Sequence, residues 1–337
     1  MKTSTHTSLL AYNTFKINAT TAHFLPFDST SAWFEILQTH PLAAETGLVL
    51  GGGSNVLLTQ PHYNSVLQNR IPGKKIELTG VENVHVTFGA GENWDDCVAF
   101  CVQHGFHGIE NLSGIPGNVG AAPIQNIGAY GVELSDHLVS VKVIDRKQHH
   151  VRTLSADACE LNYRDSRFEH GWKNRFIITQ ITLRLSRQPR WVLNYPALQT
   201  ALTQQAITPS LNNIRQTILS IRGSKLPDPS VLPNAGSFFK NPVVSRAHFS
   251  EIKSHHPELP SFPIDTDRIK IPAAWLIEQC GFKGHRAGDT GVHTHQALVL
   301  VNHHQARGED ILQLANNIRH TVKQQFNIQL EPEVNVI

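Results

Sequence analysis

Three consecutive glycines, Gly51-Gly52-Gly53, stand between two apolar, strand-like runs, Gly47-Leu48-Val49-Leu50 and Val56-Leu57-Leu58-Thr59, and lead into Ser54-Asn55. Consecutive glycines admit positive φ and let a backbone come so close to a ligand that several N–H groups can point at one anion. A Rossmann loop would need G-x-G-x-x-G opening a helix, and a P-loop would need G-x-x-x-x-G-K-[ST]. Neither pattern is present, so the two commonest nucleotide folds are disfavoured. Taken alone, glycines between strands read more readily as a tight turn than as a cofactor loop.

A second stretch changes that balance. Residues Gly108 to Gly131 hold six glycines and few charges, interleaved with Leu112, Ile115, Val119, Ile124 and Ile127. A flexible linker would lack those apolar residues, so this is an ordered, buried loop whose amides can serve a large neutral or anionic ligand.

At 337 residues the chain is longer than one core usually grows, and two or three domains are expected. With 40% hydrophobic and 17% charged residues, it reads as an ordinary soluble, folded protein. Its net charge of +2 and its short basic stretches, such as Lys74-Lys75 and Arg146-Lys147, argue against nucleic acid as a partner. No run approaches the length of a membrane helix, and the start Met1-Lys2-Thr3-Ser4-Thr5-His6 leads into no hydrophobic signal region, so a cytoplasmic location and no membrane partner are expected.

Cys97, Cys101, Cys159 and Cys280 form no C-x-x-C pair and are expected to be free thiols. Cys97, Cys101 and His104 could share one helical face and offer three metal ligands, but Trp94 to Val102 also reads as an amphipathic helix burying that face, and core packing is the stronger reading. No metal is expected. The twenty histidines include adjacent pairs but no H-E-x-x-H, and most read as surface polar residues.

Asp28 and Ser29 can cap a short helix carrying Trp33, Phe34, Ile36 and Leu37. From about residue 76 short β segments dominate, including Val84–Phe88, Val141–Asp145 and Phe176–Leu185, with a helix near residues 95–104. Beyond Pro227, Pro229 and Pro233 the character changes again, with helices expected over Pro272–Cys280 and Glu309–Phe326. Ile311, Ala315, Ile318, Val322 and Phe326 make a core-facing stripe on the latter.

Gly52-Gly53-Ser54-Asn55, Ser113-Gly114-Ile115-Pro116-Gly117 and Gln125-Asn126-Ile127-Gly128-Ala129-Tyr130 resemble the FAD-binding core of the UDP-N-acetylenolpyruvoylglucosamine reductases, and the resemblance covers nearly the whole chain. It implies an α+β protein: a two-subdomain FAD-binding fold of the vanillyl-alcohol-oxidase (PCMH) type, plus a C-terminal α+β substrate-binding domain. The changes of pattern near residues 76 and 223 fit this: residues 1–75 and 76–222 for the two FAD subdomains, with the PCMH-type region about 17–188, then 223–327 for the substrate domain and 328–337 for a tail. It also implies non-covalent FAD held by Gly51, Gly52, Gly53, Ser54, Asn55, Ser113, Gly114, Ile115, Pro116, Gly117, Gly120, Ala121, Gln125, Asn126, Gly128, Ala129, Tyr130, Tyr163 and Arg164. NADPH is the implied co-substrate, and a monomer is expected.

That family reduces an enol ether of UDP-N-acetylglucosamine, which builds an enolate-like charge beside a carboxylate and then needs one proton. Tyr163-Arg164-Asp165-Ser166-Arg167-Phe168 resembles the family's Tyr-Arg-x-Ser-x-Phe motif, implying that Arg164 stabilises the developing charge through its fixed, forked cation. Gly236-Ser237-Phe238-Phe239-Lys240-Asn241 resembles its most distinctive signature, in which the serine, here Ser237, is the proton donor. Glu331-Pro332-Glu333-Val334 resembles its closing motif, with Glu333 at the active-site glutamate; on an extended segment Glu331 and Glu333 face the same side, so periodicity does not choose between them. Lys225, Asn241 and Gln296 match positions that contact the UDP-sugar, and Tyr195 falls where one subgroup places a tyrosine that closes over the nucleotide. Gly288-Asp289-Thr290-Gly291 and His293-Thr294-His295 depart from the commoner family wording.

Overall fold

A computed structural model describes residues 6–337 and divides the chain into two units. The first comprises Thr21–Gly52 and Tyr63–Ser224, and the second Ser8–Thr20, Gly53–His62 and Lys225–Ile337. Two N-terminal segments cluster with the C-terminal part: Asn335–Val336 pairs in parallel with Val56–Leu57, the N–H of Thr59 donates to the Ile337 carbonyl at 2.8 Å, and Asn302 Nδ2 donates to the Phe15 carbonyl at 2.9 Å. Such a return of distant segments leaves no trace in local periodicity.

In the first unit a five-stranded antiparallel sheet runs in the order His150–Ser155, Leu138–Asp145, Phe176–Ser186, Asn83–Gly89, Lys74–Leu78. Alternating apolar residues such as Val84, Val86 and Phe88 face inward and meet the helix Trp94–Gln103 through Trp94, Cys97, Val98 and Cys101. Cys97 and Cys101 are thus core residues, and all four cysteines are free thiols. Among the described residues no cluster of His, Cys, Asp or Glu is arranged to hold a metal. A second sheet carries Leu48–Leu50 parallel to His62–Asn69, and Ser29 caps the adjoining helix Thr30–Thr39 by accepting from the Ala32 N–H. Buried Arg146 staples this region, donating to the carbonyls of Ala44 (2.9 Å) and Gly47 (2.8 Å) at the end of the helix Pro41–Thr46.

Two helices, Pro196–Gln204 and Leu211–Lys225, occupy a stretch where the sequence pattern suggests no element. Each buries only a narrow stripe, Leu198 and Leu202 on one, Leu211, Ile214, Thr217 and Ile218 on the other, which is a weak signal against their polar surroundings.

In the second unit the antiparallel sheet order is Asn234–Ser237, Val299–Asn302, Thr290–Val292, Arg286–Ala287. The helix Gly308–Phe326 buries the expected stripe of Ile311, Ala315, Ile318, Val322 and Phe326, with Leu314 added. The helix Ala273–Gln279 and a small sheet of Val243–Ser245, Arg268–Lys270 and Phe262–Pro263 complete it. Among the described residues no helix is long and apolar enough to cross a membrane.

Candidate active site

The two glycine-rich loops meet in the first unit. A Cβ added to Gly52 would lie 2.7 Å from Asn118 Oδ1 and 3.3 Å from Gly117 Cα, so the loops approach at a distance that admits no side chain. Asn118 is itself anchored by donating from Nδ2 to the Gly91 carbonyl at 2.8 Å. Among the described residues the backbone N–H groups of Gly51, Gly52, Gly117 and Asn118 donate to no protein oxygen. Bare amides in a close backbone cradle suit the pyrophosphate of a dinucleotide such as FAD, whose charge they would meet without a side chain in the way.

The wall of this cradle is fixed by charge. Gly114 donates its N–H to Asp95 at 2.6 Å, Asp95 receives both arms of Arg215 at 2.6 and 2.7 Å, and Arg222 Nε donates to the Gly114 carbonyl at 3.0 Å. Burial pulls the Asp95 carboxyl upward, but the Arg215 hydrogen bonds, the Gly114 N–H and the charges of Arg215 and Arg222 outweigh it and hold the group below the usual carboxylate range. Buried Ser113 donates to the Glu110 carbonyl at 2.6 Å, and Gly120 donates to the Ala90 carbonyl at 2.9 Å. Ile115 is half-buried, whereas Pro116 and Ala121 are exposed.

Asn126 commits its whole side-chain amide to protein, donating to Glu133, Ser135 and the Asn162 carbonyl and accepting from the Ser135 N–H, which leaves its backbone as the part able to meet a ligand. Gly128–Ala129 pairs with Val132–Glu133, and Gln125 lies buried beside them. Arg164, at φ 51°, donates from Nη2 to the Gly128 carbonyl at 2.5 Å and stands over the Tyr163 ring. Its guanidinium is thereby held at the Gln125–Tyr130 segment. Tyr130 meets the edge of Tyr195 at 5.3 Å, and Asn111 donates to the carbonyls of both Tyr130 and Val192 at 2.8 Å. Tyr195 itself is 40% exposed just ahead of the helix Pro196–Gln204. Sequence reasoning missed Asn111, which stands beside Glu110 between Ile109 and Leu112 and carries no distinguishing local signal.

In the second unit Ser237 ends its strand opposite Val299, and the chain continues through Phe238 and Phe239, both fully buried with rings 5.1 Å apart. Phe15 packs on Phe238 from the other side. The C-terminal tail lies antiparallel to this segment: the Glu333 N–H donates to the Phe238 carbonyl at 2.8 Å, and the Lys240 N–H donates to the Glu331 carbonyl at 2.9 Å. Glu333 therefore lies opposite Phe238, the residue that follows Ser237. Glu331 is exposed and Glu333 half-buried, a distinction that periodicity does not offer. Asn55 binds the same tail, donating from Nδ2 to the Glu333 carbonyl at 3.1 Å and accepting from the Asn335 N–H. Gly53, at φ 64°, packs against the Tyr12 carbonyl, and Ser54 follows half-buried.

Gln296 lies at the turn before Val299, whose N–H donates to its carbonyl at 3.0 Å; the neighbouring Leu298 carbonyl accepts from Phe238. Asn241 caps a helix start, its Oδ1 accepting from the Ala273 N–H at 2.9 Å, and its amide N–H groups remain to serve a ligand. Lys225 ends its helix with its side chain exposed. Ser237, Glu333, Gln296, Asn241, Asn55 and Lys225 thus belong to one unit, and Arg164, Tyr163, Tyr195 and the residues 108–131 to the other. The sequence also passed over Asn234, a buried amide three residues before Ser237.

Comparison with known proteins agrees with both halves of this description. Residues 35–154 match the family described as FAD binding domain, and residues 228–337 match the UDP-N-acetylenolpyruvoylglucosamine reductase, C-terminal domain. Over 332 residues, 98% of each chain, the sequence is 41% identical to the UDP-N-acetylenolpyruvoylglucosamine reductase of Bacteroides fragilis strain NCTC 9343. It is 43% identical to that of Chromobacterium violaceum over 96% of each chain, and 42% identical to that of Pseudomonas aeruginosa over 98% of each. The crystal structure of the reductase from Thermus caldophilus superposes with a TM-score of 0.68 at 23% identity, covering 100% of this chain and 99% of that one, and shares its fold.

Proposed function

The chain belongs to the family of the UDP-N-acetylenolpyruvoylglucosamine reductases, FAD-dependent oxidoreductases of peptidoglycan precursor synthesis, and from that premise we propose that it reduces UDP-N-acetylglucosamine enolpyruvate to UDP-N-acetylmuramate with NADPH. Bound FAD would supply the redox chemistry, accepting hydride from NADPH and passing it to the terminal vinyl carbon. The protein's task is then to stabilise negative charge next to a carboxylate and to protonate the neighbouring carbon. Arg164 supplies the fixed cation for that charge. Ser237 donates the proton; a hydroxyl is acid enough because an enolate beside a carboxylate is strongly basic. Glu333 stands at the substrate carboxylate, where nearby negative charge would favour its protonated form. Lys225, Asn241 and Gln296 hold the UDP-sugar, and Tyr195 closes over the nucleotide. We place this reaction in the cytoplasm, in a monomer with FAD bound non-covalently.

The observation that carries the reading is the pairing of the tail with Phe238–Lys240, which sets Glu333 opposite Phe238, the residue next to Ser237. Two residues 96 positions apart that the proposed chemistry requires together are brought within one residue of each other across that pairing. The test mixes the yellow protein anaerobically with NADPH, then adds UDP-N-acetylglucosamine enolpyruvate while flavin absorbance is followed. Bleaching and then rapid recovery are expected. Recovery that requires oxygen would make the protein an oxidase, and no bleaching would make it a binding protein. Ser237→Ala should bleach normally and recover slowly; unaltered recovery removes Ser237 from its role.

A further inference from the structure

We propose that Asn234 is the positioning residue for Ser237, holding the serine at a β-bulge while tying the same backbone to the loop that begins at Lys225. The proposal rests on the reading of Ser237 as proton donor.

Asn234 is 2% exposed and stands opposite Val301, while Ser237 stands opposite Val299, so three residues on one strand advance the pairing by only two, with a register shift between them. A bulge of this kind re-aims the side chain that follows it and leaves a backbone group outside the ladder. Here Gly236 takes φ 72°, and its N–H is received by Asn234 Oδ1 at 2.8 Å. The other end of the same amide donates to the Leu232 carbonyl at 2.8 Å and to the Pro227 carbonyl at 3.2 Å. Two carbonyls can only accept and an amide N–H can only donate, so the three partners determine the orientation of the side chain.

Two of the three partners adjoin residues of the proposed reaction. Gly236 immediately precedes Ser237, and Pro227 lies two residues after Lys225. The strand cannot straighten without stranding the Gly236 N–H, and the proline-rich loop cannot move away without stranding its carbonyl, each the loss of a part-buried hydrogen bond. A hydroxyl that must reach one carbon of a bound substrate depends on that rigidity, since a displacement of about 1 Å can slow chemistry on the order of 10²-fold.

Asn234→Asp keeps the volume and the Oδ1 acceptor but turns the donor into a second acceptor facing two carbonyl oxygens; Asn234→Ala removes both. The holoenzyme is reduced anaerobically with one equivalent of dithionite, then mixed with saturating UDP-N-acetylglucosamine enolpyruvate in H2O and in D2O. The proposal expects flavin recovery to slow on the order of 10²-fold, with a larger solvent isotope effect than in the parent enzyme because proton delivery becomes the slow step. Recovery at the parent rate in a variant that retains flavin overturns it. Slow recovery with an unchanged isotope effect overturns it too, because misplacement of the proton donor is then not the cause. If Asn234→Ala does not fold, Asn234→Asp decides. Ser237→Ala run alongside separates the layers: parent-rate recovery there removes the donor assignment and this proposal with it, whereas slow recovery there beside parent-rate Asn234 variants removes this proposal alone.

Discussion

Gly52→Ala should weaken FAD binding while leaving the protein folded. The added methyl would stand 2.7 Å from Asn118 Oδ1, and Asn118 cannot swing aside without giving up its bond to the Gly91 carbonyl. Overpacking of this kind costs roughly 1–3 kcal/mol. Gly52 is exposed, so the apoprotein escapes the clash by letting the loop move outward, and the strain falls on the form in which the loop must close on its ligand. That converts to about 5- to 150-fold in the FAD dissociation constant. The flanking glycines are internal controls. A Cβ on Gly51 meets Asn118 Cβ at 3.3 Å, which a shift of a few tenths of an ångström relieves, so Gly51→Ala should bind nearly as the parent does. Gly53 is at φ 64° and its Cβ would fall on the Tyr12 backbone carbonyl, where no side chain can yield. Gly53→Ala therefore adds about 1–2 kcal/mol of left-handed strain to a backbone clash and should lower folding stability itself. Fluorescence titration of the apoproteins with FAD, beside their thermal unfolding, reads all three. Parent-like affinity in Gly52→Ala, or a larger loss in Gly51→Ala than in Gly52→Ala, would refute the cradle.

Arg146→Ala should destabilise the first unit by about 3 kcal/mol, because two buried carbonyls, of Ala44 and Gly47, lose charged donors; burial lowers the Arg146 pKa to about 10, so the group is still a cation at neutral pH, and urea unfolding measures the loss. Asp95 has its folded pKa below the unfolded value, so the stability it contributes is present above the ordinary carboxylate range and is lost as pH falls through the folded pKa. Asp95→Asn should accordingly flatten the acid limb of a stability-against-pH curve and leave its neutral-to-alkaline part parallel to the parent's; an unchanged acid limb would remove Asp95 from that role.

Much of the local structure was written in short-range pattern. The helix stripe from Ile311 to Phe326, the Ser29 cap and the alternating strand Asn83–Gly89 follow from spacing alone, because the solvent-facing side of each element is polar over several turns or residues. The helices Pro196–Gln204 and Leu211–Lys225 bury too little for their stripes to stand out. Nor do local patterns reveal Asn111, Arg215 and Arg222, which bind backbone or charge that the chain brings back from far along its length.

By itself the sequence determined which residue types were available: glycines that admit close backbone approach, an arginine, a serine and two glutamates in motif positions, and no conventional nucleotide-binding loop. Only the tertiary structure decided which of them meet. It set Gly52 against Asn118, distinguished half-buried Glu333 from exposed Glu331 and laid Glu333 opposite Phe238, next to Ser237. It also drew Asn55 and residues 8–20 to the C-terminal unit. The physical reason is that these contacts join segments separated by tens to hundreds of residues, and hydrogen-bond pairing between such segments depends on the whole chain's packing rather than on any local preference.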